Sequence, residues 1–334
     1  MPKTQEIAAT DNGKQTPRFS ILLPVVKTKY FKEAFDSATK QHFEDYEIVV
    51  LNNKADADIA WVKENKRVRY YENEERLPLV ENINKGIALL SGEYGVILSD
   101  DDIFCENFLI ETDNFFRKHD VDIVRVPRKE INEFGETVGF ACPAFSIESF
   151  AEHIYYEWRY SRAPCLSDFA FRRKAILDAG GLDRRLGWNM DYLLVAKIAA
   201  QRNRIGSLNS VQMHYRLSSI NSTNTMGAKR SLIRLSGDFI LYEEIRGLLE
   251  KTNDEFTPLA IEENEKRILR LRHSYYEYEY STGGWSGVLY LHRNLPAGAR
   301  RKDLVTFLLK RSLGTCLNAV LAFPRRILRL FKFH

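Results

Sequence analysis

The sequence predicts an α/β protein in which a mostly parallel sheet is covered by helices on both faces. From residue 19 to about residue 100, short apolar runs alternate with segments whose apolar residues recur at helical spacing. These runs are continuously apolar, which is typical of strands buried on both faces. The length of 334 residues is enough for a sizeable core, and 28% of charged residues is ordinary for a globular protein.

The elements follow one another regularly after a polar stretch, residues 1–17, which we expect to be a disordered tail. The first strand is FSILLPVV, which begins at Phe19, and IFCENFLI, from Ile103, looks like the start of a helix. Between them the pattern predicts, in order, a helix over 30–41, a strand over 47–53, a polar helix over 55–65, a strand over 67–71, a helix over 79–90 and a strand over 94–99.

The regular alternation ends after a further predicted strand at 122–126. An insert-like stretch, RKEINEFGETVGF, and the aromatic-rich SFAEHIYYEWRY come next, and we expect a mixed sheet with long crossing loops there. Strand patterns largely vanish after about Thr225, and helical spacing predominates. We therefore predict an α/β domain over 18–225 and a helical C-terminal region over 226–334.

The cysteines and the N-terminal residues bear on where the protein resides. The cysteines are far apart, which argues against a disulfide framework or a zinc cluster and favours a reducing compartment. They are Cys105, Cys142, Cys165 and Cys316. The polar N-terminal segment lacks the apolar stretch of a signal peptide, and no apolar run is long enough to span a bilayer. We expect a cytoplasmic protein that is peripheral at the inner face of the cell membrane.

The membrane expectation comes from residues 296–334, which carry nine lysines or arginines against one aspartate, whereas the rest of the chain is mildly acidic. Interleaved apolar and basic residues are typical of a helix lying on an anionic membrane surface. The alternative is a helix packed on the domain with a solvated basic face. Nucleic acid ranks last as a partner, because the remaining chain is net acidic and shows no known reader motif.

Three consecutive carboxylates, Asp100, Asp101 and Asp102, directly follow the predicted strand at 94–99. Adjacent anions repel one another unless a cation lies among them, and hard oxygen ligands at a strand end suit Mg²⁺ or Mn²⁺. The alternative is a solvated acidic turn that caps a helix, for which one Asp would suffice. The metal site is favoured because ligands bind at the carboxyl ends of parallel strands.

Four segments, taken in order, resemble the family 2 glycosyltransferases, which are metal-dependent inverting enzymes of GT-A fold with nucleotide-sugar donors. FSILLPVV resembles the opening strand, and EIVVLNNKAD resembles the second strand. The Asn-x-Gly, Gly-Glu-Tyr and Asp-x-Asp stretch of the family resembles NINKGIALLSGEYGVILSDDDIF. The acceptor-side segment of the family resembles FAFRRKAILDAGGLDRRLGWNMDYLLVAKIA. The resemblance covers about 18–221 and implies a GT-A fold, a Rossmann-like mixed sheet, here with a helical C-terminal extension.

The resemblance also implies the roles of individual residues, an NDP-sugar donor with a UDP-sugar favoured, and Mn²⁺ or Mg²⁺ as cofactor. The residues expected to contact the nucleotide sugar are Pro24, Asn52, Asn82, Asn84, Lys85, Asp100, Asp101 and Arg216. The expected metal ligands are Asp101, Asp102 and His214. Surface polar residues on an amphipathic helix would give the same pattern at 82–85, and a lone His is more often structural.

The chain departs from the family pattern at two positions. Asn52 stands where an Asp usually meets the nucleotide, although an amide both donates and accepts hydrogen bonds. Ser99 stands where the first Asp of the motif is usual, so Asp101 is the preferred metal ligand. Asp100 and Asp102 are then expected to act through the ribose, through waters or by orienting the ligand.

Asp191 is the expected catalytic base, because the resemblance places the general base of the family there. It lies at the predicted start of a helix, after a turn made by two glycines, and an ordinary N-terminal helix acid is the alternative. Asp183 is the weaker candidate for the base. Trp188 is expected to stack on an acceptor sugar, with a core tryptophan as the alternative.

The resemblance thus implies a transferase that moves a sugar from an NDP-sugar to a hydroxyl of a glycan or lipid-linked acceptor, by analogy in bacterial surface polysaccharide, lipopolysaccharide or glycoconjugate synthesis. A nucleotidyltransferase is the nearest rival, but the loop after the first strand lacks the glycines that such enzymes use. A non-catalytic nucleotide- or membrane-binding protein of the same fold is the second rival. The departures at Asn52 and Ser99 favour it, whereas the retention of Asp101 and Asp191 argues against it.

Overall fold

The structure is a computed structural model that describes residues 16–141, 146–160, 164–186, 189–218 and 231–294. The strands are β1 (Phe19–Val25), β2 (Tyr46–Asn52), β3 (Val68–Glu72), β4 (Tyr94–Ile97), β5 (Ile103–Phe104), β6 (Ile123–Arg125), β7 (Arg128–Ile131), β8 (Thr137–Ala141), β9 (Ile147–Glu148), β10 (Phe169–Arg172), β11 (Ile205–Ser207) and β12 (Met213–Arg216). The helices are α1 (Phe31–Thr39), α2 (Leu79–Leu89), α3 (Phe108–Lys118), α4 (Phe150–Tyr160), α5 (Arg173–Asp178), α6 (Met190–Arg202), α7 (Ser231–Leu249) and α8 (Thr257–Asn294).

Eight strands form one central sheet in the order β3, β2, β1, β4, β10, β6, β11, β9. The first four are parallel, and β10 runs antiparallel to both of its neighbours, β4 and β6. The sheet is therefore mixed, as the sequence predicts. Its parallel half brings the carboxyl ends of β1, β2 and β4 to one edge, where ligands bind in α/β folds.

Both faces of the sheet are buried, which explains the continuously apolar strands. In β1, Leu22 belongs to a hydrophobic cluster shared with α2, α4 and α6. Its neighbours Ile21 and Leu23 belong to the opposite cluster, shared with α1 and α3. Successive side chains of a strand point to opposite faces, so a strand between two helical layers needs apolar residues at every position.

A second sheet of four strands, in the order β5, β12, β7, β8, lies beyond the aspartate cluster. Two predicted helices are corrected here. The segment at Ile103 opens as a strand because its backbone pairs with Met213 and His214 of β12, and helix α3 begins only at Phe108. The polar segment 55–65 forms only a short 3₁₀ helix, Ala60–Glu64, in which Val62 is the buried side chain.

The described part of the helical region packs on the α/β domain. Leu241, Ile245 and Leu249 of α7 and Ala260 of α8 belong to the same hydrophobic cluster as Leu22 of β1. The predicted boundary near Thr225 and the basic segment 296–334 lie outside the described residues. Among the residues that the structure describes, no helix is long and apolar enough to cross a membrane.

Gly237 of α7 allows the close approach of this helix to the loop before α6. A Cβ at this position would clash with the carbonyl oxygen of Leu186, a backbone atom that cannot move aside as a flexible side chain would. We expect Gly237→Ala to lower the free energy of unfolding by about 1–3 kcal/mol, the usual effect of overpacking. Urea unfolding measures this change. Gly247→Ala is the matched control, because its Cβ meets open space in the same helix, and it should be neutral or stabilising by about 1 kcal/mol.

Candidate functional site

The aspartate cluster lies where β4 ends, next to the loop that follows β1. Asp100 accepts hydrogen bonds at Oδ2 from the backbone N–H groups of Val26 and Lys27, both at 2.8 Å. Burial raises its pKa, while the two amides favour the charged form. Asp100 therefore fixes the β1 to α1 loop against the end of β4.

Asp102 leaves one buried carboxylate oxygen without a hydrogen-bond partner among the described residues, and Asp101 adjoins it. Asp102 is 1% exposed; its Oδ1 accepts the N–H of Arg216 at 3.0 Å, and its buried Oδ2 has no hydrogen-bond partner among the described residues. Burial is the main cause that raises the pKa of both groups. The negative charge of Asp100 adds to the rise at Asp101, and that of Asp101 adds to the rise at Asp102.

This arrangement fits a hard divalent cation. A buried carboxylate oxygen without a donor and a neighbouring carboxylate with a raised pKa are groups that a cation would stabilise. Within the described ranges, no group of three or more His, Cys, Asp or Glu side chains is placed to hold a metal ion. Two carboxylates suit Mg²⁺ or Mn²⁺, which take their remaining ligands from phosphates and waters.

The guanidinium of Arg216 is 1% exposed and lies beneath the cluster. It forms an ion pair with Glu33 at 2.6 Å and lies 4.2 Å from the centre of the Tyr30 ring. Its Nε donates to the backbone oxygen of Asp101 at 3.0 Å. These contacts support the backbone of the cluster, and contact of Arg216 with a diphosphate stays a prediction.

His214 lies on β12, beside Cys105 and two positions before Arg216. Its Nε2 is 3.8 Å from the sulfur of Cys105. Burial, with the positive charges of Lys129 and Arg216, lowers the pKa of His214, so its imidazole is neutral at pH 7. A neutral imidazole is able to ligate a metal, but the described contacts do not join His214 to Asp101 or Asp102.

The carboxyl ends of β1 and β2 place Pro24 and Asn52 at the same sheet edge. Pro24 pairs in register with Leu51, and Asn52 is the last residue of β2. The Asn52 amide donates to the Tyr70 hydroxyl at 2.8 Å, and its oxygen accepts the N–H of Ala55 at 2.8 Å. The side chain at the family's usual Asp position thus shapes the loop that follows β2.

The polar residues of α2 differ in their surroundings. Asn82 is 1% exposed and accepts a hydrogen bond from Asn73 at 2.8 Å, whereas Lys85 is exposed. Asn84 forms two hydrogen bonds with the backbone of Leu182. Its side-chain NH₂ donates to the Leu182 carbonyl oxygen at 2.9 Å, and its side-chain oxygen accepts the Leu182 N–H at 2.8 Å. Asn84 therefore fixes the loop that leads to α6.

Asp191 lies in the first turn of α6, as the sequence predicts, after a turn in which Gly180 and Gly181 both have positive φ. Its Oδ1 accepts the N–H of Tyr192 at 2.9 Å. Burial, reinforced by the negative charges of Asp168 and Glu157, raises the pKa of Asp191 to about 7. A carboxylate with this pKa is suited to accept a proton near neutral pH. Trp188, the predicted acceptor contact, lies outside the described residues.

A short segment before β10 links the aspartate cluster to Asp191, and sequence reasoning missed it. The hydroxyl of Ser167 accepts the N–H of Ser99 at 3.1 Å, and Asp168 pairs with Arg128 at 2.6 Å. Besides burial and Asp168, the charges of Asp102 and Asp191 both raise the pKa of the Cys165 thiol. Both carboxylates therefore act electrostatically on Cys165. The sequence contains little indication of this segment, residues 165–168. It shows only a Ser and an Asp, residues that often cap helices, before an apolar run.

Comparison with known sequences gives the family. A sequence profile described as "Glycosyl transferase family 2" matches residues 20–180, from the start of β1 to the turn before α6. Residues 20–180 belong to glycosyl transferase family 2. The glycosyltransferase GlyG of Streptococcus pneumoniae serotype 4 is 28% identical over 111 residues, which are 31% of this chain and 37% of GlyG.

A second relative of the family 2 domain is an uncharacterized glycosyltransferase of Rickettsia felis. It is 33% identical over 109 residues, which are 31% of this chain and 18% of that protein. The match to these two curated relatives therefore spans less than two fifths of the length of either. It concerns the family 2 domain and leaves the remainder of both relatives unmatched.

Solved structures share the fold. TarS residues 1–349 of S. aureus, solved with UDP-GlcNAc, superimposes with a TM-score of 0.61 at 15% identity over 84% of this chain and 82% of that one. The same protein solved with UDP gives a TM-score of 0.57 at 16% identity over 80% and 74% of the two chains. The fold implied by the family resemblance, GT-A, is confirmed, and at this identity the likeness shows the fold alone.

Proposed function

We propose that this protein is a metal-dependent inverting glycosyltransferase that moves a sugar from an NDP-sugar to a hydroxyl of a glycan or lipid-linked acceptor. The observation that carries this proposal is the placement of two unlike carboxylate sites around one short segment of a family 2 domain. The charges of Asp102 and Asp191 both act on Cys165, and Ser167 of the same segment accepts the N–H of Ser99, next to the aspartate cluster. A cation site and a single base are the groups that an inverting transfer requires.

In this proposal Asp101 and Asp102 hold Mn²⁺ or Mg²⁺ together with the diphosphate of the donor. The bound cation supplies positive charge that stabilises the departing diphosphate. Asp100 holds the β1 to α1 loop, whose backbone lies beside the same edge, and Arg216 supports the chain at Asp101. Pro24 and Asn52 line the part of the edge where the nucleotide would lie, and Lys85 is exposed on α2.

Asp191 is proposed to take the proton from the acceptor hydroxyl as the new glycosidic bond forms and the bond to the diphosphate breaks. Its pKa of about 7 means that it is largely ionised above neutral pH and still basic enough to accept a proton. Trp188 is proposed to contact the acceptor sugar because it precedes Asp191 by three residues.

A UDP-sugar is the favoured donor, since the TarS structures of the same fold hold UDP and UDP-GlcNAc. A mannosyltransferase of Pyrobaculum calidifontis, similar with a TM-score of 0.50, holds GDP-Man and Mn²⁺, so guanine donors belong in the test. Bacterial surface polysaccharide or lipopolysaccharide synthesis is the proposed pathway. The basic segment 296–334 supports a location at the inner face of the membrane, where a lipid-linked acceptor would be reached.

The donor class is tested by thermal unfolding of the full chain with UDP, GDP, dTDP and CMP, each with and without Mn²⁺. A ligand that binds only the folded state raises the unfolding temperature according to its affinity. We expect UDP with Mn²⁺ to stabilise the protein most and UDP alone to stabilise it little. Equal stabilisation by all nucleotides without the metal would contradict the proposed donor site.

A further inference from the structure

A buried carboxylate of the helical region lies at the centre of a polar cluster next to the start of α6. Asp238 of α7 is 3% exposed and receives hydrogen bonds from three described side chains. The donors are Asn189 at 2.7 Å, Arg267 at 2.8 Å and the hydroxyl of Tyr275 at 3.2 Å. Arg267 and Tyr275 belong to α8, so Asp238 joins both helices of this region to the residue that precedes α6.

Asn189 is the N-terminal flanking residue of α6 and stands two positions before Asp191. Its backbone is left-handed, with φ 58° and ψ 21°, a conformation that is uncommon outside glycine but that asparagine adopts more often than most residues. The side-chain amide is held by Asp238, which fixes this conformation at the start of α6. The direction in which the first turn of α6 leaves the loop therefore depends on this hydrogen bond.

A second route connects Asp238 to the same turn through aromatic contacts. The guanidinium of Arg267, paired with Asp238, lies 4.2 Å from the ring centre of Trp158. The Trp158 ring stacks on that of Tyr192, with ring centres 5.0 Å apart and planes inclined by 20°. Tyr192 directly follows Asp191, so both neighbours of the Met190–Asp191 pair are held by groups that Asp238 organises.

The glycine at 237 makes this contact possible. The carbonyl of Leu186 occupies the space that a Cβ at Gly237 would need, so α7 lies directly on the loop before α6. The backbone contact at Gly237 and the carboxylate of Asp238 together fix α7 against the start of α6. An isolated surface ion pair would not do this, because exposed pairs contribute little.

We infer that Asp238 is a positioning residue that orients Asp191 through Asn189 and through the Arg267, Trp158 and Tyr192 stack. The inference rests on the proposed function, in which Asp191 is the base. It gives the helical region a role in transfer, because a misplacement of about 1 Å at a catalytic group can lower the rate about 100-fold.

Two substitutions test it, each in the full chain. Asp238→Asn keeps the shape but removes the charge that pairs with Arg267. Asn189→Gly keeps the left-handed backbone without strain and removes only the amide. Glu263→Gln is the matched control, because Glu263 is also 3% exposed on α8, but its ion-pair partners, Lys266, Arg159 and Arg270, lie on α8 and α4.

Hydrogen exchange of the backbone amides at 190–194 is the first readout, and it needs no substrate. We expect faster exchange there in Asp238→Asn and Asn189→Gly, with unchanged exchange in β1 and β4, and no change at 190–194 in Glu263→Gln. Unchanged exchange at 190–194 in both test variants, or an equal change in the control, would overturn the inference.

Transfer kinetics are the second readout. We expect kcat to fall about 10- to 100-fold in both test variants while the affinity for nucleotide and Mn²⁺ stays as in the wild type. The midpoint of the pH profile of kcat should also shift, which a general loss of folded protein would not cause. Faster exchange with unchanged kcat would overturn the inference. If the wild type itself turns over no sugar nucleotide, the proposed function fails, and the exchange result alone then decides whether Asp238 orients the first turn of α6.

Discussion

Asp191→Asn should lower kcat for sugar transfer by about 10²–10⁴-fold, the usual contribution of a general base. The amide keeps the size of the carboxylate and still accepts the N–H of Tyr192, so the first turn of α6 should be preserved. Binding of nucleotide with Mn²⁺ should be unchanged, because Asp191 is not among the residues proposed to hold the metal or the nucleotide. Initial rates of nucleoside diphosphate release, together with a nucleotide titration, measure the two effects. Asp183→Asn, in the same loop and paired with Arg185, is the control and should retain activity.

The pH dependence follows from the same carboxylate. Since its pKa is raised to about 7 and the base must be ionised, kcat should rise with pH below about 7 and level off above it. An acid whose pKa is raised by folding stabilises the folded state less as pH rises from its unfolded value towards its folded one. Asp191→Asn should therefore unfold at a higher temperature than the wild type at pH 8, with a smaller difference at pH 5. Full activity in Asp191→Asn would contradict the assignment of the base.

Asp101→Asn should weaken the binding of nucleotide in the presence of Mn²⁺ by at least about 10-fold and lower transfer by about 10²–10³-fold. The reason is that an amide neither carries charge nor offers two oxygens to a cation, whereas burial and the charge of Asp100 raise the pKa of Asp101, so that a cation would stabilise its charged form. Isothermal titration with UDP, with and without Mn²⁺, separates the metal-dependent part of the affinity.

The control for this substitution is Asp178→Asn, which removes a negative charge from an exposed ion pair with Lys174. Its affinity for UDP with Mn²⁺ should equal that of the wild type. If Asp101→Asn binds UDP and Mn²⁺ as tightly as the wild type, the metal is held elsewhere, and the role assigned to the aspartate cluster is wrong.

The sheet could be predicted from the sequence because its strands carry their signal locally. β1, β2 and β4 are buried on both faces, so each is an apolar run, and α1 and α2 between them show helical spacing. The strand at Ile103 could not be predicted, since it exists only because β12, about 110 positions later, pairs with it. Local pattern is ambiguous for such two-residue strands.

Individual side chains of the site show the same limit. The position of Asp191 at a helix start followed from local glycines and apolar spacing. The ion pair of Arg216 with Glu33 joins residues 183 positions apart. Asn84 and Asp238 likewise act on loops 98 and 49 positions distant. Contacts of this kind are set by tertiary packing, and no local pattern in the sequence encodes them.

The most direct test of the central claim is to identify the bond that the protein cleaves, by following a UDP-sugar with Mg²⁺ and the full chain by ³¹P NMR. We expect UDP to accumulate with the wild type, more slowly without an acceptor, and not with Asp191→Asn. The resonances of UDP mean cleavage between the sugar and the diphosphate, which is glycosyl transfer or its hydrolytic equivalent. Appearance of UMP and a sugar phosphate, which means attack at the α-phosphate, or binding without any cleavage, would contradict the account.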